Sequence, residues 1–310
     1  MKPWGTMPAA PSAHTLEVTF SGAAAGAGDL RLEAAWLAGA PSEALFDAVT
    51  PAGIEHGIRL YRSAHLLLGW VEVPFEPATL ARHTQELYEQ ILQAAHGWHL
   101  YRVWNYVPAI NAVTNGMEHY RAFCQGRSRA FEQILGPIFQ ERLPAASAVG
   151  TDGHRVSVVF AAGRALPQHI ENPEQVPAYQ YPPEHGPRPP SFARATLARD
   201  GERSWTFISG TAAIKGHQTV APGAFTAQLD CTLDNLRLIA RAAGLPDDLR
   251  SGGAGTRYFK VYLRHARDLA PAQRRLEREL LRDGDGVTYL RADICRAALD
   301  VEIEATIRSA

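Results

Sequence analysis

The chain has 310 residues, of which 46% are hydrophobic, enough for substantial cores and more than one domain's usual length. Its 31 basic and 32 acidic residues leave a formal net charge of -1, so no electrostatic footprint for nucleic acid or an anionic membrane exists, and a charged ligand must be held by a local cluster. Three widely spaced cysteines, no apolar run near the roughly 18 residues of a membrane span and no basic region followed by an apolar core at the start predict a reduced, cytoplasmic protein without zinc or disulfides.

Strands open the first half. A helix-period segment, Ala78 to Ala95, then precedes the strand-like LYRVWNYVP, and a second helical segment runs from about Glu118 to Leu135. On that second helix Tyr120, Cys124 and Arg127 share a face at i, i+4, i+7, so Tyr120 and Arg127 could grip one carboxylate; a surface arginine is the plain alternative. Two strands, Ala145 to Val149 and Arg155 to Ala161, close this half.

Leu166 to Pro190 is too rich in proline for a regular helix or a central strand and reads as a linker or an ordered crossing segment, with Tyr179 and Tyr181 as aromatic anchors. The division expected is therefore residues 1–165, a linker at 166–190, and residues 191–310.

The second half repeats the pattern. A strand runs into Ser209, Gly210 and Thr211, where the absent side chain at Gly210 lets a ligand, such as a carboxylate, approach the main chain; SGT is as often a plain turn. His217 follows Gly216 in a turn and could orient a carboxylate or relay a proton, although a loop histidine is more often structural. Ala227 to Ala243 places Leu229, Leu233, Leu236 and Ala240 on one stripe, with Gly244 as C-cap. In the strand RYFKVYLR, Phe259, Val261 and Leu263 form the packing face and Tyr258, Lys260, Tyr262 and Arg264 the other, which the same parity sets opposite Arg102, Trp104 and Tyr106 and which suggests anion binding. Pro271 to Arg282 is helical. The β-α-β-α-β layout in each half predicts an α+β duplication with helices on one face of each sheet, which permits a monomer.

Val287 to Ile307 carries the densest chemistry. Read as a hairpin, it puts Arg291, Asp293 and Cys295 on one strand face and Glu302 and Glu304 on one face of the next, with Val301, Ile303 and Ala305 in the core. A carboxyl group crowded there by burial and a neighbouring carboxylate would hold its proton near neutral pH, the condition for a general acid; a solvated edge hairpin is the bland alternative.

SGTAAIKG, LDNLRLIARAAGL, RYFKVYLR and VEIEA resemble the RidA/YjgF-like domain over about Ala195 to Ile307. With YRVWNYVPAIN, GMEHYRAFCQGR, ISGTAAIKGHQTV and ADICRAALDVE, the chain resembles the chorismatase family, which includes 3-hydroxybenzoate synthases. The resemblance implies two RidA-like domains, cleavage of the enolpyruvyl ether of chorismate to release pyruvate, and no metal or organic cofactor. It implies Glu302 as the acid, and Cys295 with a small residue at Gly210 as the marks of an aromatic product, 3-hydroxybenzoate, with 4-hydroxybenzoate also open. Thr211, Tyr258, Lys260, Tyr262 and Arg291 complete the expected binding set with Tyr120, Arg127 and Gly210. The alternatives are hydrolysis of chorismate to a dihydrodiol, a RidA-like deaminase of imines and enamines, and a noncatalytic binding duplicate.

Overall fold

A computed structural model describes residues 13–23, 28–200, 202–246, 249–251 and 255–309. Its strands are β1 (His14–Ser21), β2 (Leu30–Gly39), β3 (Ser42–Glu55), β4 (Ile58–Arg62), β5 (Leu66–Pro74), β6 (His99–Pro108), β7 (Val113–Thr114), β8 (Met117–Glu118), β9 (Ala145–Thr151), β10 (Arg155–Gly163), β11 (Gln168–Ile170), β12 (Ala195–Asp200), β13 (Arg203–Ala212), β14 (Ile214–Lys215), β15 (Gln218–Thr219), β16 (Thr256–Leu263), β17 (Gly286–Arg291) and β18 (Val301–Ser309). Among the described residues the α-helices are α1 (Leu80–Ala94), α2 (His119–Leu135), α3 (Phe225–Ala242) and α4 (Leu269–Glu279). All four lie within a few residues of the segments that the apolar periodicity marks.

Fourteen strands form one sheet in the order β11-β12-β13-β18-β16-β17-β2-β1-β3-β4-β5-β10-β6-β9. Within it the run β12-β13-β18-β16-β17 has the same connectivity as β4-β5-β10-β6-β9, so the duplication visible in the sequence pattern is also one of strand order. The two runs do not form separate sheets. β2, β1 and β3 lie between them, and β17 pairs with β2 while β3 pairs with β4.

The two ends of the sheet approach each other and nearly close a barrel. The edge of β9 is not left open: the Ala145 N–H donates to the Thr196 hydroxyl and the Ala146 N–H to the Ser209 hydroxyl, each at 2.8 Å. Further along, the Gly150 N–H donates to the Asp293 carbonyl at 2.7 Å. Edge groups that would otherwise be orphaned are therefore satisfied by side chains and a loop rather than by a ladder.

Alternation along the strands separates three apolar layers. Leu16, Phe20, Leu32, Trp104, Phe207 and Tyr262 face inward and pack together inside the curved sheet. Outside, α1 and α2 cover one run through Leu87, Ile91, Phe123 and Phe131. α3 and α4 cover the other, where the expected stripe of Leu229, Leu233, Leu236 and Ala240 packs on Phe259, Val261, Val301 and Ile303. Gly244 ends α3 at φ +72°, a conformation that glycine adopts without steric cost, and the Leu245 N–H returns to the Ala240 carbonyl.

One expectation is overturned here. β17 and β18 are not a hairpin, because β16 lies between them, parallel to β17 and antiparallel to β18. The chain must cross the end of β16, so the strand stops at Arg291 and residues 292–300 form the crossing loop that carries Asp293 and Cys295. Arg264, just beyond β16, orders it. Its guanidinium donates to the Leu299, Ile294 and Arg296 carbonyls and pairs with Asp293 at 2.9 Å.

Candidate active site

At the seam between β9 and β13 lies a cavity of about 500 Å³. Its walls come from both repeats: Glu118 and Tyr120 at the start of α2, Tyr181, Phe192 and Arg194 of the proline-rich strap and its exit, Gly210 and Ala212 on β13, Cys295 and Arg296 of the crossing loop, and Glu302 on β18. The period of two along β18 explains why Glu302 and Glu304 both point inward, while Val301, Ile303 and Ala305 point to α3 and α4.

The two carboxylates meet different fates. Glu304 accepts from Trp104 Nε1 at 2.8 Å, from Arg102 Nη2 at 2.7 Å and from Lys260 Nζ at 2.9 Å. Lys260 also reaches Glu43 at 2.8 Å, and Arg102 donates to the Ser147 hydroxyl at 2.9 Å. Burial alone would raise the Glu304 pKa, but Lys260 and Arg102 overcome it and hold the group below the ordinary carboxylate range. Burial likewise disfavours the charged Lys260, yet Glu304 and Glu43 raise it well above its usual value. Burial pushes Glu43 up against the pull of Lys260.

Glu302 is the carboxyl with no cation left in contact. It is 3% exposed, and its Oε1 has no hydrogen-bond partner. Burial first, and then the neighbouring Glu304, push its pKa up to about 8, with Arg102 and Arg194 opposing. At neutral pH it is therefore a neutral acid facing a cavity, with two guanidinium groups near enough to favour the carboxylate once the proton leaves. Gly210 makes room for it: a Cβ at that position would stand 2.0 Å from Glu302 Oε1 and 3.1 Å from the Ser147 Cβ. The glycine admits a side chain of the protein itself as well as opening the main chain.

Cys295 shares this cavity, and burial, with Glu302 adding to it, pushes its thiol up to about 12. It is a thiol at neutral pH, not a thiolate. Tyr120 also lines the cavity, and burial drives its phenol well above the usual range.

The remaining residues singled out from sequence lie elsewhere. Arg127 sits two helical turns past Tyr120, buried between the Phe123 ring at 5.2 Å and the Tyr88 ring at 6.0 Å, and does not line the cavity. Thr211 points to the other side of β13, where its hydroxyl bonds the Ser209 carbonyl at 2.9 Å. Lys260 and Tyr262 do face Arg102, Trp104 and Tyr106, as strand parity predicts: Lys260 Nζ lies 5.0 Å from the Trp104 ring and the Tyr262 and Tyr106 hydroxyls are 3.4 Å apart. That face is filled by Glu304 and Glu43, so its cations are already neutralised by the protein. Tyr258 bonds the Thr288 hydroxyl and the Ser42 carbonyl. Arg291 pairs with Asp152 at 3.0 Å and Asp293 at 3.6 Å.

Two cations of the cavity wall, Arg194 and Arg296, are not among the residues the sequence singles out. Arg194 is buried, donates to the Tyr181 hydroxyl at 2.8 Å and the Val176 carbonyl at 3.3 Å, and has its Nε 4.0 Å from the Glu171 carboxylate. Arg296 lies over the Tyr181 ring at 5.2 Å and donates to the His217 carbonyl at 2.8 Å. The available signals were slight: an arginine at the exit of the proline-rich strap, another directly after Cys295, and a tyrosine anchor in the strap.

Residues 46–162 match the family described as chorismatase FkbO/Hyg5-like, N-terminal. The chain is 40% identical over 217 residues to a 3-hydroxybenzoate synthase of Streptomyces hygroscopicus, an alignment covering 67% of this chain and 63% of that protein, just under two thirds of the relative's length. It is 38% identical over 268 residues to a chorismatase of the same organism, covering 83% of this chain and 76% of the relative. A chorismatase crystal structure superposes with a TM-score of 0.79 at 31% identity, over 96% of this chain and 93% of the other. With that identity carried across most of both chains and the same fold beneath it, the chain belongs to the chorismatase family.

Proposed function

We propose that this protein cleaves the enolpyruvyl ether of chorismate to pyruvate and 3-hydroxybenzoate, with Glu302 as general acid. The observation that carries the reading is the buried Glu302 carboxyl, its pKa pushed up to about 8, facing a cavity that Arg194 and Arg296 also line. The cavity's volume is in the range that encloses a small molecule.

Chorismate brings two carboxylates, an enol ether and a hydroxyl on a diene ring. Arg194, fixed by Tyr181, and Arg296 supply charge for the carboxylates, and Phe192, Ala212 and Tyr181 supply apolar walls. Glu302 gives its proton to the enolpyruvyl methylene, which leaves an oxocarbenium-like centre. The ring hydroxyl oxygen then bonds to the neighbouring ring carbon as the ether C–O bond breaks, its electrons leaving with pyruvate. The hydroxyl proton returns to Glu302. Opening of the epoxide-like ring and loss of a ring proton give the aromatic product, so chorismate is converted without net water. Cys295 and Gly210 shape the wall beside the acid, consistent with an aromatic product rather than a diol. The names of the relatives, 3-hydroxybenzoate synthase and chorismatase, support the same chemistry.

The repeated strand order supports reading residues 1–165 and 191–310 as two RidA-like modules joined by the strap, with the site between them. A duplication that supplies both walls from one chain suits a monomer. Three free thiols suit a reducing cytoplasm, and no helix among the described residues is long and apolar enough to cross a membrane.

Incubation with chorismate, chromatography of the products and a pyruvate assay test the proposal. Equimolar pyruvate and 3-hydroxybenzoate are expected; pyruvate with the diol or 4-hydroxybenzoate overturns the product assignment, and absence of pyruvate overturns the reaction.

A further inference from the structure

Where the strap meets the β14–β15 ribbon lies a cluster that the proposed reaction does not use. His185 Nε2 and His217 Nδ1 are 3.0 Å apart, and Glu184 Oε1 lies 3.5 Å from each. These atoms form a nearly equilateral triangle of donors. A tetrahedral ion with bonds of ~2.0–2.1 Å holds its ligand atoms roughly 3.3–3.4 Å apart, so the triangle departs from that face by only a few tenths of an ångström.

The surroundings hold this triangle in place. Both imidazoles are partly buried, their rings 5.2 Å apart, and the Tyr181 ring packs on them at 5.1 and 6.4 Å. The Gln218 amide nitrogen sits 3.0 Å from Glu184 Oε1 and 3.1 Å from His217 Nδ1; rotation of that amide would present its carbonyl oxygen as a fourth donor. Arg296 stands nearby through the His217 carbonyl and opposes a cation, while the Glu184 carboxylate offsets it. Two imidazoles and a carboxylate suit a borderline ion such as Zn²⁺ and not the all-oxygen preference of Mg²⁺ or Ca²⁺.

We propose that Glu184, His185 and His217 form a binding site for a divalent transition metal ion of the zinc class, which fastens the proline-rich strap to the β14–β15 ribbon at the mouth of the cavity. The histidines are 32 positions apart, so no local spacing motif announces them; the fold brings them together. The ion acts through the strap. Tyr181, four residues before His185, walls the cavity and holds Arg194, so occupancy restrains the wall that carries a substrate-facing cation.

Isothermal titration of chelator-treated, full-length protein with Zn²⁺ alone tests this, together with the visible spectrum of the Co²⁺-substituted protein and the melting temperature with and without metal. One saturable equivalent, a tetrahedral Co²⁺ spectrum and a metal-dependent rise in melting temperature are expected. His217→Ala should weaken binding by roughly tenfold or more and abolish that rise. Glu184→Ala removes a carboxylate that is 58% exposed and should weaken binding in the same direction, so the test survives if the histidine variant is unstable. Absence of saturable binding, or a single equivalent that both variants retain at unchanged affinity, overturns the proposal.

Discussion

Gly210 and Glu302 are fitted to each other: the space a Cβ would take at Gly210 is the space Glu302 Oε1 occupies, 2.0 Å from it. The strand therefore carries a glycine, at an irregularity in its pairing with β18, where any side chain would displace the acid. Gly210→Ala should lower kcat by roughly a hundredfold or more, because general-acid catalysis is lost when the proton is misplaced. Circular dichroism should be unchanged. Turnover at the wild-type rate would show that the carboxyl does not work from this position.

Glu302 should make stability depend on pH. Its folded value of about 8 lies above the ordinary carboxyl value of about 4.3, so the folded protein keeps a proton that the unfolded chain gives up. That contribution is fully present below the unfolded pKa and is lost as pH rises through about 8, by an amount on the order of several kcal/mol at ~1.4 kcal/mol per unit. Glu302→Gln removes the titration. Denaturant unfolding should find the variant as stable as wild type near pH 4 and more stable above pH 8; parallel curves would refute the raised pKa.

Glu304→Gln tests the coupling between the two acids. It takes away the nearby charge that helps keep Glu302 protonated, so the alkaline limb of the pH–rate profile should move to lower pH. It also leaves Lys260 and Arg102 short of a partner, which should cost roughly 3 kcal/mol of stability. An unmoved limb would mean that burial alone sets the acid.

The parity that brings Glu302 and Glu304 inward was legible in the sequence because a strand alternates every two residues whatever it pairs with. So were the four helices and the opposition of Lys260 and Tyr262 to Trp104 and Tyr106. The placement of Cys295 was not, since nothing local reveals that β16 intervenes between β17 and β18 and turns the expected strand into a loop held by Arg264. The filling of the Lys260 face by Glu43 depends on a contact 217 positions away, and Arg194 and Tyr181 become cavity walls only when the strap folds back over the seam.

If Arg194 holds a substrate carboxylate as proposed, Arg194→Ala should raise KM by roughly ten- to a hundredfold with a smaller effect on kcat, since a charge-assisted contact is lost. An unchanged KM would place the carboxylates elsewhere.

Cys295→Ala widens the cavity beside Glu302 and should admit water to the cationic centre, so a nonaromatic diol should appear among the chromatographed products. Unaltered 3-hydroxybenzoate alone would show that the thiol does not exclude water.

If the Glu302 proton cleaves the ether, single-turnover release of pyruvate from chorismate at pH 7 must slow in Glu302→Gln measured beside wild type. The variant should fold and bind chorismate yet release pyruvate at least roughly a hundredfold more slowly. Release at the wild-type rate would contradict it.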